Sequence, residues 1–137
     1  MISFFGSDVA NPDTYQKFWS DIQMYTTTMG APDPQNFMRQ FLTAEIASKE
    51  NKWQGRNVTR WKNEEYDKVF AASETELDPV KRAALFIKMN DLVIENVVVI
   101  PVLWRSVISA VSNRLKNTAI TGWDSNLWNL ANWTREG

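Results

Sequence analysis

The sequence predicts an α/β fold, because segments with helical and with extended periodicity alternate along the chain. The clearest helix begins at Asp78, whose side chain can cap it, with Pro79 in the first turn. Apolar residues follow at helical spacing: Leu85, Phe86, Met89, Leu92, Val93 and Val97. Residues 97–100 are a β-branched run that ends at Pro101. Such a run is typical of a strand covered on both faces, and we expect it to continue to Trp104.

The first half of the chain predicts shorter elements in the same alternation. Residues 2–5 are interpreted as the end of a strand, and Asp13 is expected to open a short helix in which three aromatic residues share a face, Tyr15, Phe18 and Trp19. Residues 21–28 alternate between two faces and predict a strand that ends in a turn at 30–34. Pro34 then predicts the first turn of a helix that runs from 35 to about 46.

The second half adds one more helix and a tryptophan-rich tail. Residues 48–59 are polar and irregular and predict a surface loop. Asn63 is expected to cap a helix whose inward face carries Tyr66, Val69 and Phe70. Beyond the 97–104 strand, the pattern predicts an extended piece at 106–111, a turn at 112–114 and a connector at 116–120. The tail carries Trp123, Trp128 and Trp133 and therefore needs a surface on which to lie.

Composition excludes several classes of function. The chain has 137 residues, a length that fits one domain, and 15 basic and 16 acidic residues that give a net charge of −1. This balance provides no electrostatic footprint for nucleic acid. Histidine and cysteine are both absent, which removes the usual general base, the thiol nucleophile and the commonest metal ligands. We therefore expect no metal site, no cofactor and no enzymatic activity.

Three blocks of sequence carry a family resemblance. Residues 21–37 form a strand-like stretch that ends in APDP, residues 61–67 read WKNEEYD, and residues 78–105 join a DPVKR helix to an IPVLWR strand. Their order and spacing resemble the C-terminal part of family 5 of the bacterial extracellular solute-binding proteins, the oligopeptide, dipeptide and nickel-binding receptors of ABC importers. The blocks and their intervals cover roughly residues 20–110.

The resemblance implies the C-terminal portion of a two-lobed periplasmic binding protein of type II, with a mixed sheet flanked by helices. Residues 1 to about 105 would form part of one α/β lobe, and residues 106–137 would return to the other lobe. Such a receptor captures a peptide or another small polar solute in the periplasm and delivers it to the membrane permease. Because family members are several times longer, we expect this chain to be a fragment whose partners include the N-terminal lobe of the same receptor.

The resemblance also places the solute-binding residues. The end of the 21–28 strand lines the ligand cleft in peptide-binding members, which implicates Thr26, Thr27, Thr28 and Gly30. Arg105 occupies a strand position that points into the cleft near the hinge, where a guanidinium suits a carboxylate, phosphate or hydroxyl group. Gly30 stands where peptide binders carry an aspartate for the ligand's α-ammonium group, so recognition of a free peptide N-terminus is not expected.

The residues alone leave other interpretations open. Threonines favour strands without any ligand, and Arg105 is equally well explained as a solvated arginine or a partner in a salt bridge between lobes. Seven tryptophans and the acidic pairs at 64–65 and 74–78 suggest a glycan-binding or glycan-processing module, with Trp123 as a further candidate for the cleft. A standalone remnant that acts only in protein interaction is the third alternative.

Overall fold

Two capped helices form the centre of the structure, a computed structural model that describes residues 11, 14–106, 108–122 and 127–137. Helix α2 spans Glu64–Thr75, and the Asn63 side chain accepts a hydrogen bond from the backbone N–H of Tyr66 at 3.0 Å. Helix α3 spans Pro79–Glu95, and Asp78 Oδ1 accepts from the backbone N–H groups of Val80 and Lys81 at 2.9 and 3.1 Å. Both predicted helix starts are confirmed.

The core lies where these helices pack against each other and against the short helix α1, Gln35–Met38. Its buried apolar side chains are Met38, Phe41, Tyr66, Val69, Phe70, Met89 and Val93. The predicted inward face of α2 is therefore confirmed, as is the stripe on α3 from Leu85 to Val93. Val97 departs from the stripe: it follows the helix end in a left-handed turn, with φ of 52°, and is 65% exposed.

The predicted helix from 35 to about 46 is wrong beyond its first turn. After α1, the chain forms two 3₁₀ turns, Arg39–Phe41 and Thr43–Glu45, separated by an extended residue at Leu42. Side chains from elsewhere replace the missing helical hydrogen bonds. The Asp67 carboxylate accepts from the Thr43 backbone N–H at 3.0 Å, and the buried side-chain amide of Asn57 donates to the Leu42 carbonyl at 3.0 Å. Tertiary partners therefore override the helical periodicity.

The predicted loop at 48–59 is confirmed as irregular and is closed by a single parallel bridge between Ile46 and Asn57. The Asn57 backbone N–H donates to the Glu45 carbonyl at 2.7 Å, and the Asn57 backbone carbonyl accepts from the Ala47 backbone N–H at 3.2 Å. Gly55 makes this approach possible. A Cβ there would lie 2.3 Å from the Glu45 carbonyl oxygen, far inside contact distance.

The predicted strands at 21–28 and 97–104 do not form in this chain. Both segments are irregular, and the backbone pairing within the described ranges is confined to the 46–57 bridge and to one short antiparallel pair of strands near the C-terminus. Ile22, Met24, Val102, Leu103 and Trp104 are each 80% or more exposed. A strand needs a neighbour for its backbone donors and acceptors, and neither segment finds one here. The described residues contain no mixed sheet, and the mixed sheet and the two-lobed architecture both stay predictions.

The C-terminal residues form a small antiparallel pair of strands. Strand β1, Leu115–Lys116, pairs with β2, Thr134–Arg135, where the sequence predicted only a connector. The predicted turn at 112–114 is confirmed by the hydrogen bond from the Leu115 amide to the Ser112 carbonyl at 2.9 Å. The extended piece expected at 106–111 forms no strand among its described residues.

The tail lies on the preceding connector. The Trp128 indole N–H donates to the Ala119 carbonyl at 3.0 Å, and the Asn129 amide donates to the Asn117 carbonyl at 2.9 Å. Three predictions fall outside the described residues: the strand at 2–5, the helix start at Asp13 and the placement of Trp123. Of the short helix expected after Asp13, a 3₁₀ turn at Tyr15–Lys17 is present. Within the described ranges, no helix has the length and apolar character needed to cross a bilayer.

Candidate functional site

A groove of about 460 Å³ opens beside the segment that the sequence singled out. It is lined by residues 15–16, 25–27 and 54–56 together with Gln40. These residues reach the same place because the chain passes the 3₁₀ turn at 15–17, returns through 23–27, and meets the loop that Gly55 brings against Glu45. The groove is thus assembled from three segments that are far apart in sequence.

Two tyrosines provide the aromatic part of the groove. The rings of Tyr15 and Tyr25 are stacked with their centroids 6.2 Å apart and their planes at 28°. The Gln23 side-chain amide donates to the Tyr15 carbonyl at 3.0 Å and ties the two segments together. Burial raises the pKa of Tyr25, with a smaller contribution from Tyr15. The Tyr25 phenol is therefore protonated at neutral pH and can donate a hydrogen bond.

The remaining polar groups are neutral hydroxyls and amides. Thr26 and Thr27 are exposed at the groove, and Gln54 is exposed on the opposing loop. Gln40 is buried and oriented by its hydrogen bond to the Phe37 carbonyl at 2.9 Å. Hydroxyl and amide side chains both donate and accept, so this arrangement suits a ligand that is itself rich in hydroxyl or amide groups.

Arg56 carries the single formal charge among the described residues of the lining. Its Nη1 atom donates to the carbonyl oxygen and to the side-chain Oδ1 of Asn36, at 3.3 and 3.1 Å. Both acceptors are neutral, and no ion pair of Arg56 exists within the described residues. Among the described residues, neither aspartate nor glutamate lines the groove. The site therefore has a net positive character and no group suited to a cationic ligand.

The structure brings together two of the five predicted site residues. Thr26 and Thr27 line the groove, whereas Thr28, Gly30 and Arg105 do not. Gly30 is exposed, and its φ of 69° with open space around it gives a backbone reason for glycine. Arg105 is exposed in the unpaired segment after residue 97. The additional candidate, Trp123, lies outside the described residues.

Sequence reasoning missed the rest of the lining, chiefly Tyr15, Gln40, Gln54 and Arg56. No spacing pattern connects these residues, because the loop at 48–59 is polar throughout and its inward side is set by the 46–57 bridge. The one available signal was Gly55. A lone glycine in a polar loop indicates a tight approach of backbone, which is the contact that brings residues 54–56 to the groove.

A second cavity, of about 320 Å³, lies near the β1–β2 pair and is mostly apolar. Its lining includes Val111, Leu115, Ile120 and Trp133, and the buried Trp133 Nε1–H has no hydrogen-bond partner among the described residues. The cavity offers few polar groups with which to orient a solute, so the first groove is the stronger candidate site.

Comparisons with known proteins add no neighbour. A scan against protein-family models, a search of curated proteins and a search of solved structures each found no match. Within the part of the chain that the structure describes, no cluster of acidic side chains has the composition of a metal site.

Proposed function

We propose that this chain is part of the substrate-binding component of an ABC importer, which captures a small polar solute in the periplasm and delivers it to the membrane permease. The observation that carries the proposal is the position of Thr26 and Thr27. The sequence resemblance assigns these two residues to a ligand cleft, and they line an open groove with hydrogen-bonding and aromatic groups. The groove lies within the usual volume range of small-molecule sites, roughly 300–1,000 Å³.

The unpaired segment at 99–106 supports a partner lobe. Its apolar side chains are largely exposed, with Ile100 at 67% and Ile108, just beyond it, at 90%. Exposed apolar surface of this extent usually marks an interaction site, and an extended backbone without partners favours addition to a sheet. A second lobe of the same receptor is the occupant that the proposal requires.

The glycan-processing alternative has less support. The acidic pair at 64–65 is exposed on helix α2 and engages lysines: Glu64 lies 3.7 Å from Lys68, and Glu65 lies 2.6 Å from Lys88. The acidic residues at 74–78 serve the start of α3, where Glu76 accepts from the Asp78 amide and Asp78 caps the helix. Glycoside hydrolysis needs two carboxylates facing one substrate, and the part of the groove lining that the structure describes contains none. A lectin or an interaction module without catalysis is distinguished from an import receptor by the uptake measurement described in the Discussion.

The test is calorimetric titration of the chain against a panel of short peptides, neutral sugars, acidic sugars and polar amino acids, with recovery of each solute afterwards. We expect one class to bind at Kd on the order of 0.1–1 mM, since half of a two-lobed cleft supplies part of the contacts. The Thr27→Val variant should lose that binding, and the recovered solute should be unchanged. Conversion of a glycan would favour the enzyme, and binding that survives Thr27→Val would contradict the groove as the site.

A further inference from the structure

Resting on the proposed function, we propose that the groove takes an acidic monosaccharide, a sugar ring that carries a carboxylate. The inference joins three features of the groove that the family resemblance does not supply: an arginine without an acidic partner among the described residues, a set of neutral donors and acceptors, and a stacked pair of tyrosines.

The carboxylate of the sugar is proposed to bind Arg56. Asn36 holds the guanidinium through Nη1 alone, which leaves Nη2 and Nε without a hydrogen-bond partner among the described residues. These two nitrogens form a planar fork that matches the two oxygens of a carboxylate. The contact with Asn36 restrains the side chain, so less rotamer freedom is lost when an anion binds.

The sugar hydroxyls are assigned to the neutral side chains. Each hydroxyl both donates and accepts, and the Thr26, Thr27 and Gln54 side chains offer the same dual capacity. The Tyr25 phenol adds a donor that stays protonated at neutral pH because burial raises its pKa. The apolar C–H face of a sugar ring suits the half-buried rings of Tyr15 and Tyr25.

The same lining disfavours the other common solutes. A free amino group or another cation needs a carboxylate, and the described lining offers the like charge of Arg56 instead. A neutral sugar would satisfy the hydroxyl and amide groups but leave the Arg56 fork to water. The groove volume of about 460 Å³ suits one sugar ring and its substituents.

The experiment is calorimetric titration with D-glucuronate, D-glucose and D-glucose 6-phosphate. We expect the chain to bind glucuronate at least about tenfold more tightly than glucose, which corresponds to about 1.4 kcal/mol. Arg56→Gln should abolish that preference, and Arg56→Lys should restore part of it, because the lysine keeps the charge without the fork. Arg114→Gln removes an exposed arginine that does not line the groove and should leave affinity unchanged.

Equal affinity for glucuronate and glucose would overturn the inference, as would a preference that survives Arg56→Gln in a variant that melts like the parent chain. Tighter binding of glucose 6-phosphate than of glucuronate would also overturn it and assign the arginine to a phosphate. Failure of the proposed function is separate. Binding of a peptide in the groove would contradict the acidic sugar as ligand and leave the importer function standing. Glucuronate that binds but is not imported would contradict the importer function and leave the acidic sugar as ligand.

Discussion

Arg82 and Asp33, separated by 49 positions in sequence, form a two-point ion pair that fixes the start of α1 against α3. Nη1 lies 2.9 Å from Oδ2, and Nη2 lies 3.2 Å from Oδ1. The same guanidinium donates to the Gln35 side chain at 2.8 Å and to the Ser73 carbonyl at 3.2 Å. One arginine therefore joins the turn before α1 to both long helices.

This ion pair predicts a pH dependence of stability. The hydrogen bond from Arg82, followed by that from the Gln35 amide, lowers the pKa of Asp33 below its ordinary value of 3.8. A carboxyl with a lowered pKa stabilises the fold above its ordinary value, and the contribution is lost as pH falls through the folded-state value. Asp33→Asn should therefore lower the free energy of unfolding at pH 7, and its difference from the parent chain should shrink below pH 3.8.

The expected size is modest because the Asp33 side chain is 52% exposed: about 0.5–1 kcal/mol at pH 7. Urea unfolding at several pH values measures it. Asp91→Asn, an exposed substitution on α3 that breaks no ion pair within the described residues, is the control and should match the parent chain throughout. A deficit of Asp33→Asn that stays constant from pH 7 to pH 2 would contradict the assignment.

The buried hydroxyl of Tyr66 predicts a larger effect. It donates to the Met38 carbonyl at 2.6 Å and joins α2 to α1 inside the core. Tyr66→Phe keeps the ring but leaves that carbonyl without its donor, so we expect a loss of about 1–3 kcal/mol. Tyr25→Phe is the matched control, because the Tyr25 hydroxyl has no hydrogen-bond partner among the described residues. Equal thermal stability of the two variants would show that the Tyr66 bond contributes little.

Gly30 predicts a cost that comes from the backbone alone. Its φ is 69°, and no atom lies within 4 Å of a built Cβ. Gly30→Ala should destabilise the chain by about 1 kcal/mol, since an L-residue resists this conformation. Gly122 also has open space and lacks the positive φ, so Gly122→Ala should cost less. If chemical denaturation gives the two variants the same stability, the left-handed turn at Gly30 is not present in solution.

The helix cap at Asp78 gives a fourth comparison of matched variants. Its Oδ1 satisfies two backbone amides of the first turn of α3. Asp78→Ala should cost about 1 kcal/mol, whereas Asp91→Ala, on the exposed side of the same helix, should be close to neutral. Circular dichroism melts report both. A loss in Asp91→Ala as large as in Asp78→Ala would assign the effect to helix charge and not to the cap.

Local signals made α2 and α3 predictable. Each helix has its capping residue, its first-turn chemistry and its inward stripe within one short window, so no distant contact is needed to define it. The prediction of a helix at 35–46 was wrong because Asp67 and Asn57, which are distant in sequence, form hydrogen bonds with its backbone groups. The strands failed because β periodicity states which residues favour a sheet and not which neighbour completes it.

The groove was half predictable for a related reason. Thr26 and Thr27 stand in a continuous run that the resemblance singled out, whereas Arg56 reaches the same place only through the approach of Gly55 to Glu45. A contact between backbones that has no periodic pattern leaves no trace in sequence beyond the glycine itself. The electrostatic character of the groove, which is set by Arg56, therefore emerged only with the structure.

The central claim is that this chain serves solute import, and uptake tests it most directly. The gene is deleted in the organism that encodes it, and uptake of the radiolabelled solute identified by calorimetry is followed with the parent gene, the Thr27→Val gene or an empty vector supplied in trans. The account predicts that uptake is lost on deletion, restored by the parent gene and not restored by Thr27→Val, with the variant protein present at parent levels. Uptake that is unchanged by the deletion would contradict it.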